Sequence, residues 1–355
     1  MALQIQDLLK QMVERKASDL HLGLHYPPTL RIDGSLVPLS LAQLSQEGVR
    51  ELVLQILSEE QLARFESAKE YDMAFGIEGL GRFRVNCFWQ RGNMGAAIRL
   101  IPAKIRTFEE CGLPLDVANF LCTRPKGLVL VTGATGSGKS TTLAAMIEKI
   151  NQAYPYHIVT IEDPIEYVYE NKKAIIDQRE IGADTHSFAE ALKHVLRQDP
   201  NVILVGEMRD WETMEIALVA AETGHLVLAT LHTSDSTQSI NRVIDVFPAH
   251  QQQQVKAQLS MVLQGILSQQ LIPRCDGPGR ALAVEILITS HAIRSMIREG
   301  KVHQIYSSIQ TGQKDGMKTM NQSLHELYLR KVISLEEALG RTTEVEDLRR
   351  MIGSR

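Results

Sequence analysis

Lys139 and Ser140 close the run Gly133-Ala134-Thr135-Gly136-Ser137-Gly138-Lys139-Ser140, a spacing suited to phosphate chemistry. The run fits G-x-x-x-x-G-K-[ST], where glycines let backbone N–H groups turn toward phosphate oxygens. A strand-like stretch, Leu128-Val129-Leu130-Val131, leads in, and a helix-like stretch from Thr141 to Ile150 leads out. Such a helix presents its positive end to an anion. Lys139 then reaches the β- and γ-phosphates, and the Ser140 hydroxyl ligates Mg²⁺. Gly133 through Thr141 are thus the expected nucleotide-binding segment. A chance glycine-rich turn is the plainer alternative, but the strand before, the helix after and the register of Lys-Ser weigh against it.

Further polar motifs follow strand-like runs. Thr160-Ile161-Glu162-Asp163-Pro164-Ile165-Glu166 places three carboxylates within five residues. That density is costly unless the groups are solvated or act on a cation or water, and hydrolysis needs a carboxylate to activate water. Val202-Ile203-Leu204-Val205-Gly206-Glu207 resembles a Walker B strand with Glu207 in place of the usual Asp. Its carboxylate would hold the hydration shell of Mg²⁺, and an ion pair with Arg209 is the simpler alternative. His232 ends the run Leu226–Leu231, where it can sense a γ-phosphate or orient a carboxylate, although a strand-end histidine is more often structural. His225, before that strand, is a weaker candidate. Arg82, Arg84 and Arg99 lie on strand-like runs far upstream. Arginines so placed can act across a domain or subunit boundary, or simply form surface ion pairs.

These groups need a scaffold. Ile5, Leu8, Leu9, Met12 and Val13 are spaced for a helix, and residues 18–22 alternate like a half-buried strand. Residues 30–32 and 36–37 flank Asp33-Gly34, a hairpin signal. A helical stretch over about 41–65 follows, then strands near 71–75, 81–89 and 96–100, which together predict an α+β domain over 1–101. A polar zone between Pro102 and Pro114 reads as a linker, here 102–118, with Thr107–Glu110 able to cap a short helix. From 119 to 355 apolar strand candidates at 128–131, 158–161, 202–205 and 226–231 alternate with helices, one of them capped at Ser187. That pattern predicts an α/β, doubly wound, mostly parallel sheet with its ligand at the carboxyl strand ends. The C-terminal third reads as helical, with Ser290 and Ser334 as caps and Gly300 as a stop.

The chain has 355 residues, net charge −4 and 5% aromatic residues. Up to Gly112 there are 13 Lys+Arg against 14 Asp+Glu, and beyond it 25 against 28. Neither part carries a basic footprint for nucleic acid, and aromatics for stacking bases are few. No apolar run nears a membrane span, and the N-terminus lacks a signal-peptide layout, so a cytoplasmic location is expected. Cys87, Cys111, Cys122 and Cys275 form no C-x-x-C pair; reduced, mostly buried thiols are expected.

Across essentially its whole length the chain resembles the secretion-superfamily ATPases that drive type II secretion and type IV pili. The resemblance rests on Ser18-Asp19-Leu20-His21-Leu22, the P-loop, the "Asp box" Thr160–Glu166, the Glu207 strand and the "His box" Gly224–Arg242. Ala292-Ile293-Arg294-Ser295-Met296-Ile297-Arg298-Glu299 is similar to a motif of the pilus-retraction subgroup, departing from it at Ser295-Met296. Tyr306–Gly312 and Gly316-Met317 follow as they do there. A motor without the longer N-terminal extension and zinc insert of many assembly and secretion motors is expected. The resemblance implies a PAS-like N-terminal domain, a RecA-like ATPase domain with C-terminal helices, and a homohexameric ring with ATP between the domains. It implies Glu166 as the catalytic carboxylate, Glu207 as the Walker B residue, and His232 as the His-box residue. Lys139 joins them, and Arg82, Arg84 and Arg99 are candidates for phosphate contacts. It further implies an inner-membrane pilus platform protein and a second retraction ATPase as partners, and membrane contact only through such a partner. An accessory retraction motor, an assembly or secretion motor, a RecA-like nucleic-acid motor and a nucleotide-gated scaffold without turnover are the rival readings. Intact Lys139, Glu166 and Glu207 argue against the last.

Overall fold

Alternation along residues 81–90 puts Phe83, Val85 and Cys87 on one sheet face, and all three are fully buried. The computed structural model describes residues 3–32, 34–101 and 104–353, in two units, Met1–Lys104 and Ile105–Arg355. The first unit has strands β1 (Asp19–Leu22), β2 (Thr29–Ile32), β3 (Ser35–Pro38), β4 (Glu70–Ile77), β5 (Gly81–Gln90) and β6 (Asn93–Ile101). Among the described residues they form a six-stranded sheet, β3-β2-β1-β6-β5-β4, with every neighbouring pair antiparallel. The helices Ile5–Glu14, Gln46–Leu54 and Glu59–Ala68 pack Leu8, Leu9, Leu52 and Phe65 against Phe83, Val85 and Ile98. The single helix expected over 41–65 is therefore two. Ser58 divides them: its hydroxyl accepts the Gln61 N–H, and Gln61 accepts the Ser58 N–H, a complete capping box. β2 and β3 form the expected hairpin through Gly34; Asp33 lies outside the described residues.

The second unit contains β7 (Gly127–Thr132), β8 (His157–Glu162), β9 (Ile175–Glu180), β10 (Val202–Val205), β11 (Leu226–Leu231), β12 (Leu263–Pro273) and β13 (Arg280–Ile288). Its described sheet runs β13-β12-β7-β11-β10-β8-β9, parallel throughout except for the β12/β13 pair. Leu128, Leu130, Val159, Ile203 and Val227 face one core, while Val129, Val131, Ile158, Leu204 and Leu228 face another. Helices cover both faces, which is why β7, β10 and β11 are buried at every residue and almost wholly apolar.

Three strands differ from the sequence-based expectation. β9 is a polar edge strand, Ile-Ile-Asp-Gln-Arg-Glu, without an apolar run. β12 and β13 lie in the stretch read as helical. β12 follows the helix Gln252–Val262 with no intervening turn residue; Leu263 simply becomes extended, at φ −62° and ψ 126°. The expected linker is also different. Pro102 and Ala103 lie outside the described residues, but Phe108–Cys111 and Leu115–Cys122 are helices whose Phe108 and Val117 are buried in the second unit's core. The Thr107 capping box forms as read. No helix among the described residues is long and apolar enough to cross a membrane. The four cysteines are free thiols, Cys87 and Cys122 buried, Cys111 half-buried and Cys275 exposed.

Candidate active site

The parallel order β7-β11-β10-β8 sets four strand ends side by side. They deliver the P-loop after Thr132, Glu207 after β10, His232 after β11 and the acidic loop after Glu162. This is where an open α/β sheet places its ligand. The P-loop turns at Gly133, whose φ is 141°. A side chain there would place Cβ 2.5 Å from the Gln269 carbonyl oxygen on β12. The helix Lys139–Ala153 then starts with Ser140 and Thr141 in its first turn.

Lys139 is buried, and its ammonium donates to the carbonyls of Gly133 (2.8 Å) and Ala134 (3.1 Å). Burial lowers its pKa, while the nearby carboxylates of Glu207 and Glu166 act in the opposite direction. Glu207 accepts from Arg209 at 2.7 Å and faces His232 Nε2 at 3.2 Å. Burial would push its carboxyl up, but the Arg209 hydrogen bond and the His232 charge hold it below the ordinary glutamate value. The anticipated Arg209 ion pair therefore forms without removing Glu207 from the site. Glu162 is buried beneath the acidic loop, accepting from Thr160 (2.7 Å) and Gln178 (3.2 Å), and burial raises its pKa. Glu166 stays half-buried, one residue before Tyr167. The Tyr167 and Thr141 hydroxyls share a 3.0 Å hydrogen bond, tying the acidic loop to the P-loop helix.

His225 lies at the opposite end of β11, with Nδ1 2.9 Å from the Ala220 carbonyl at the close of a helix, a structural position. Arg82, Arg84 and Arg99 belong to the first unit. Arg84 pairs directly opposite Arg99, and all three lie on the sheet face away from Phe83 and Val85. Arg99 is ion-paired with Asp19 at 2.8 Å, so the simpler surface-pair reading describes its contacts in this unit. The helix His291–Arg298 buries Ile293 and Ile297 and half-buries Met296. Arg294 anchors it by donating to the Ser260 and Met261 carbonyls.

Sequence reasoning missed the wall beside the P-loop. On β12, Ser268 accepts from Thr132 (2.9 Å), Gln269 donates to Thr142 (2.7 Å), and Leu271 lies beneath Gly138. Arg280, at the start of β13, donates to the Gly136 carbonyl at 3.4 Å. The available signal was the apolar run Ile266-Leu267 and Leu271-Ile272 around Ser268-Gln269-Gln270, which fits a buried strand.

Residues 2–340 match the family described as type II/IV secretion system protein. The chain is 48% identical over 336 residues to the type IV pilus retractation ATPase PilT of Pseudomonas aeruginosa, covering 95% of this chain and 97% of that one. It is 42% identical over 350 residues to the type IV pilus ATPase PilU of the same organism, covering 99% and 91%. Among solved structures, the crystal structure of the pilus retraction motor PilT with bound ADP superposes with a TM-score of 0.92 at 50% identity, covering 98% of this chain and 99% of that one.

Proposed function

The chain belongs to the type II/IV secretion system protein family, and we propose that it is an ATP-hydrolysing motor driving retraction of a type IV pilus. The observation carrying this reading is the grouping of Lys139 with the Glu207 and Glu166 carboxylates, and of Glu207 with His232, at adjacent parallel strand ends. The higher identity to PilT than to PilU, 48% against 42%, favours the retraction motor over the accessory one.

ATP would bind with its phosphates in the loop Gly133–Ser140, where Lys139 exchanges the Gly133 and Ala134 carbonyls for β- and γ-phosphate oxygens. Glu166 takes the proton of the attacking water as general base. His232 orients Glu207 and reports on the γ-phosphate. The donor set fits Mg²⁺: the Ser140 hydroxyl sits in the first turn of the P-loop helix, and Glu207 is kept ionised by Arg209 and His232. Ser140 would hold the ion directly and Glu207 through water, and the bound ion would neutralise charge developing on the phosphates.

Arg82, Arg84 and the Asp19-paired Arg99 would be further phosphate contacts. The γ-phosphate gives the ATP-bound state its differential affinity, and hydrolysis removes it. Six copies would form a cytoplasmic ring at the inner-membrane pilus base, acting on a platform protein and working beside a second retraction ATPase.

Glu166→Gln should abolish phosphate release while sparing ATP binding; unchanged release overturns the assigned base. Deleting the gene in the source organism should give hyperpiliated cells that do not twitch. Bald cells would instead indicate pilus assembly, and strong stimulation of turnover by single-stranded DNA would indicate a nucleic-acid motor.

A further inference from the structure

Hydroxyl groups tie the His232 loop to the helix that follows it. Thr132 is the last residue before Gly133, and Thr233 the first after His232. Ser239 lies between them, fully buried in the first turns of the helix Ser236–Asp245, as Thr132 and Ser268 are in their strands. The Thr233 and Ser239 hydroxyl oxygens are 2.7 Å apart, and Ser239 also donates to the Asp235 carbonyl at 2.6 Å. A serine hydroxyl has one proton, so Thr233 is the donor in the 2.7 Å pair. Thr132 Oγ1 lies 3.5 Å from Ser239 but donates to Ser268 at 2.9 Å, and with the Ser239 proton on the Asp235 carbonyl neither hydroxyl donates to the other.

Burying hydroxyls costs free energy that an apolar residue at position 239 would avoid, and the cost is offset only by satisfied hydrogen bonds. What these bonds fix is the path of residues 232–235. Asp235 already caps the helix by accepting the Gln238 N–H at 2.8 Å, and the Ser236 N–H donates to the buried Glu285 at 2.8 Å. The loop is thus held at its helix end by Asp235 and Glu285, and at its strand end by Thr233 through Ser239.

We infer that Ser239 is a positioning residue for turnover: through Thr233 it holds His232 against Glu207. The inference rests on the ATP-hydrolysis reading above. Ser239 touches no nucleotide-binding group of the P-loop itself, so its effect belongs to kcat rather than to ATP affinity.

The test is steady-state ATP hydrolysis by the full chain with Ser239→Ala, with Thr233→Val, which keeps the shape and removes the hydroxyl, and with both. Each single change should lower kcat roughly tenfold and leave KM for ATP within about twofold. The double variant should be no slower than the slower single one, because both changes delete the same bond. Thr233 is half-buried and its valine replacement isosteric, so T233V remains informative if S239A melts early. Wild-type kcat in T233V, additive losses in the double variant, or a loss confined to KM would each overturn the inference. Failure of the unaltered protein to hydrolyse ATP would remove the reading beneath it as well, and that result is distinct from the other three.

Discussion

A methyl group on Gly133 would place its carbon 2.5 Å from the Gln269 carbonyl oxygen and 2.5 Å from the Ser137 hydroxyl oxygen. The serine could rotate away, but the carbonyl cannot. Gln269 is buried in β12, paired with Val284 on β13, and its side chain holds Thr142. Gly133→Ala therefore forces the P-loop outward. Its backbone, at φ 141°, is also a conformation that L side chains rarely adopt. Strain of roughly 1–3 kcal/mol and overpacking of roughly 1–3 kcal/mol combine to about 4 kcal/mol. At roughly 2–4 °C per kcal/mol, the ATPase unit should melt about 8–16 °C lower. Gly136→Ala is the matched control. Its φ is also left-handed, at 78°, but a methyl there meets nothing within 4 Å. It should cost about 1 kcal/mol, roughly 2–4 °C. Thermal melting without nucleotide gives both numbers, and titration with a fluorescent ATP analogue reads the loop directly; G133A should bind far more weakly than G136A. Equal shifts in melting, or wild-type affinity in G133A, would refute the argument that β12 fixes the loop.

Two carboxylates should respond to pH in opposite directions. Glu207 is held below its ordinary value of 4.5, burial being outweighed by Arg209 and His232, so its contribution to stability is present above that value and lost as pH falls through the lowered one. Glu207→Gln should flatten the acid limb of stability measured by urea unfolding, and an unchanged limb would contradict the pairing. Glu285 is buried and its pKa is raised above 4.5, the Ser236 N–H only partly opposing burial. A carboxyl that holds its proton more tightly when folded makes stability decline as pH rises from 4.5 toward the raised value. Glu285→Gln should remove that decline, and an identical slope in the variant would show that Glu285 ionises as freely folded as unfolded.

Sequence alone determined the parts of this protein whose chemistry is local. The glycine spacing that frees backbone N–H groups, the Lys-Ser at a helix start, the capping box at Thr107, the N-cap at Ser187, and the apolar runs of β7, β8, β10 and β11 all report on neighbours a few residues away. The break at Ser58 was local too, but helical periodicity on both sides of it masked the cap. Tertiary structure decided the rest. β12 carries polar Ser268-Gln269-Gln270 within an apolar strand, and only its neighbours explain them, Ser268 and Gln269 being bonded to Thr132 and Thr142 more than a hundred residues away. Likewise, the sequence offers Glu207 either Arg209 or the site, whereas the fold supplies both, because the parallel order brings His232 and Lys139 from other strands. Arg99's type leaves a phosphate contact and a surface ion pair both open, and strand pairing is what sets it beside Asp19, eighty residues earlier. A residue's type is legible at any distance, but its partner is a matter of strand order, and that order is settled by burying both faces of a sheet rather than by any short stretch of sequence.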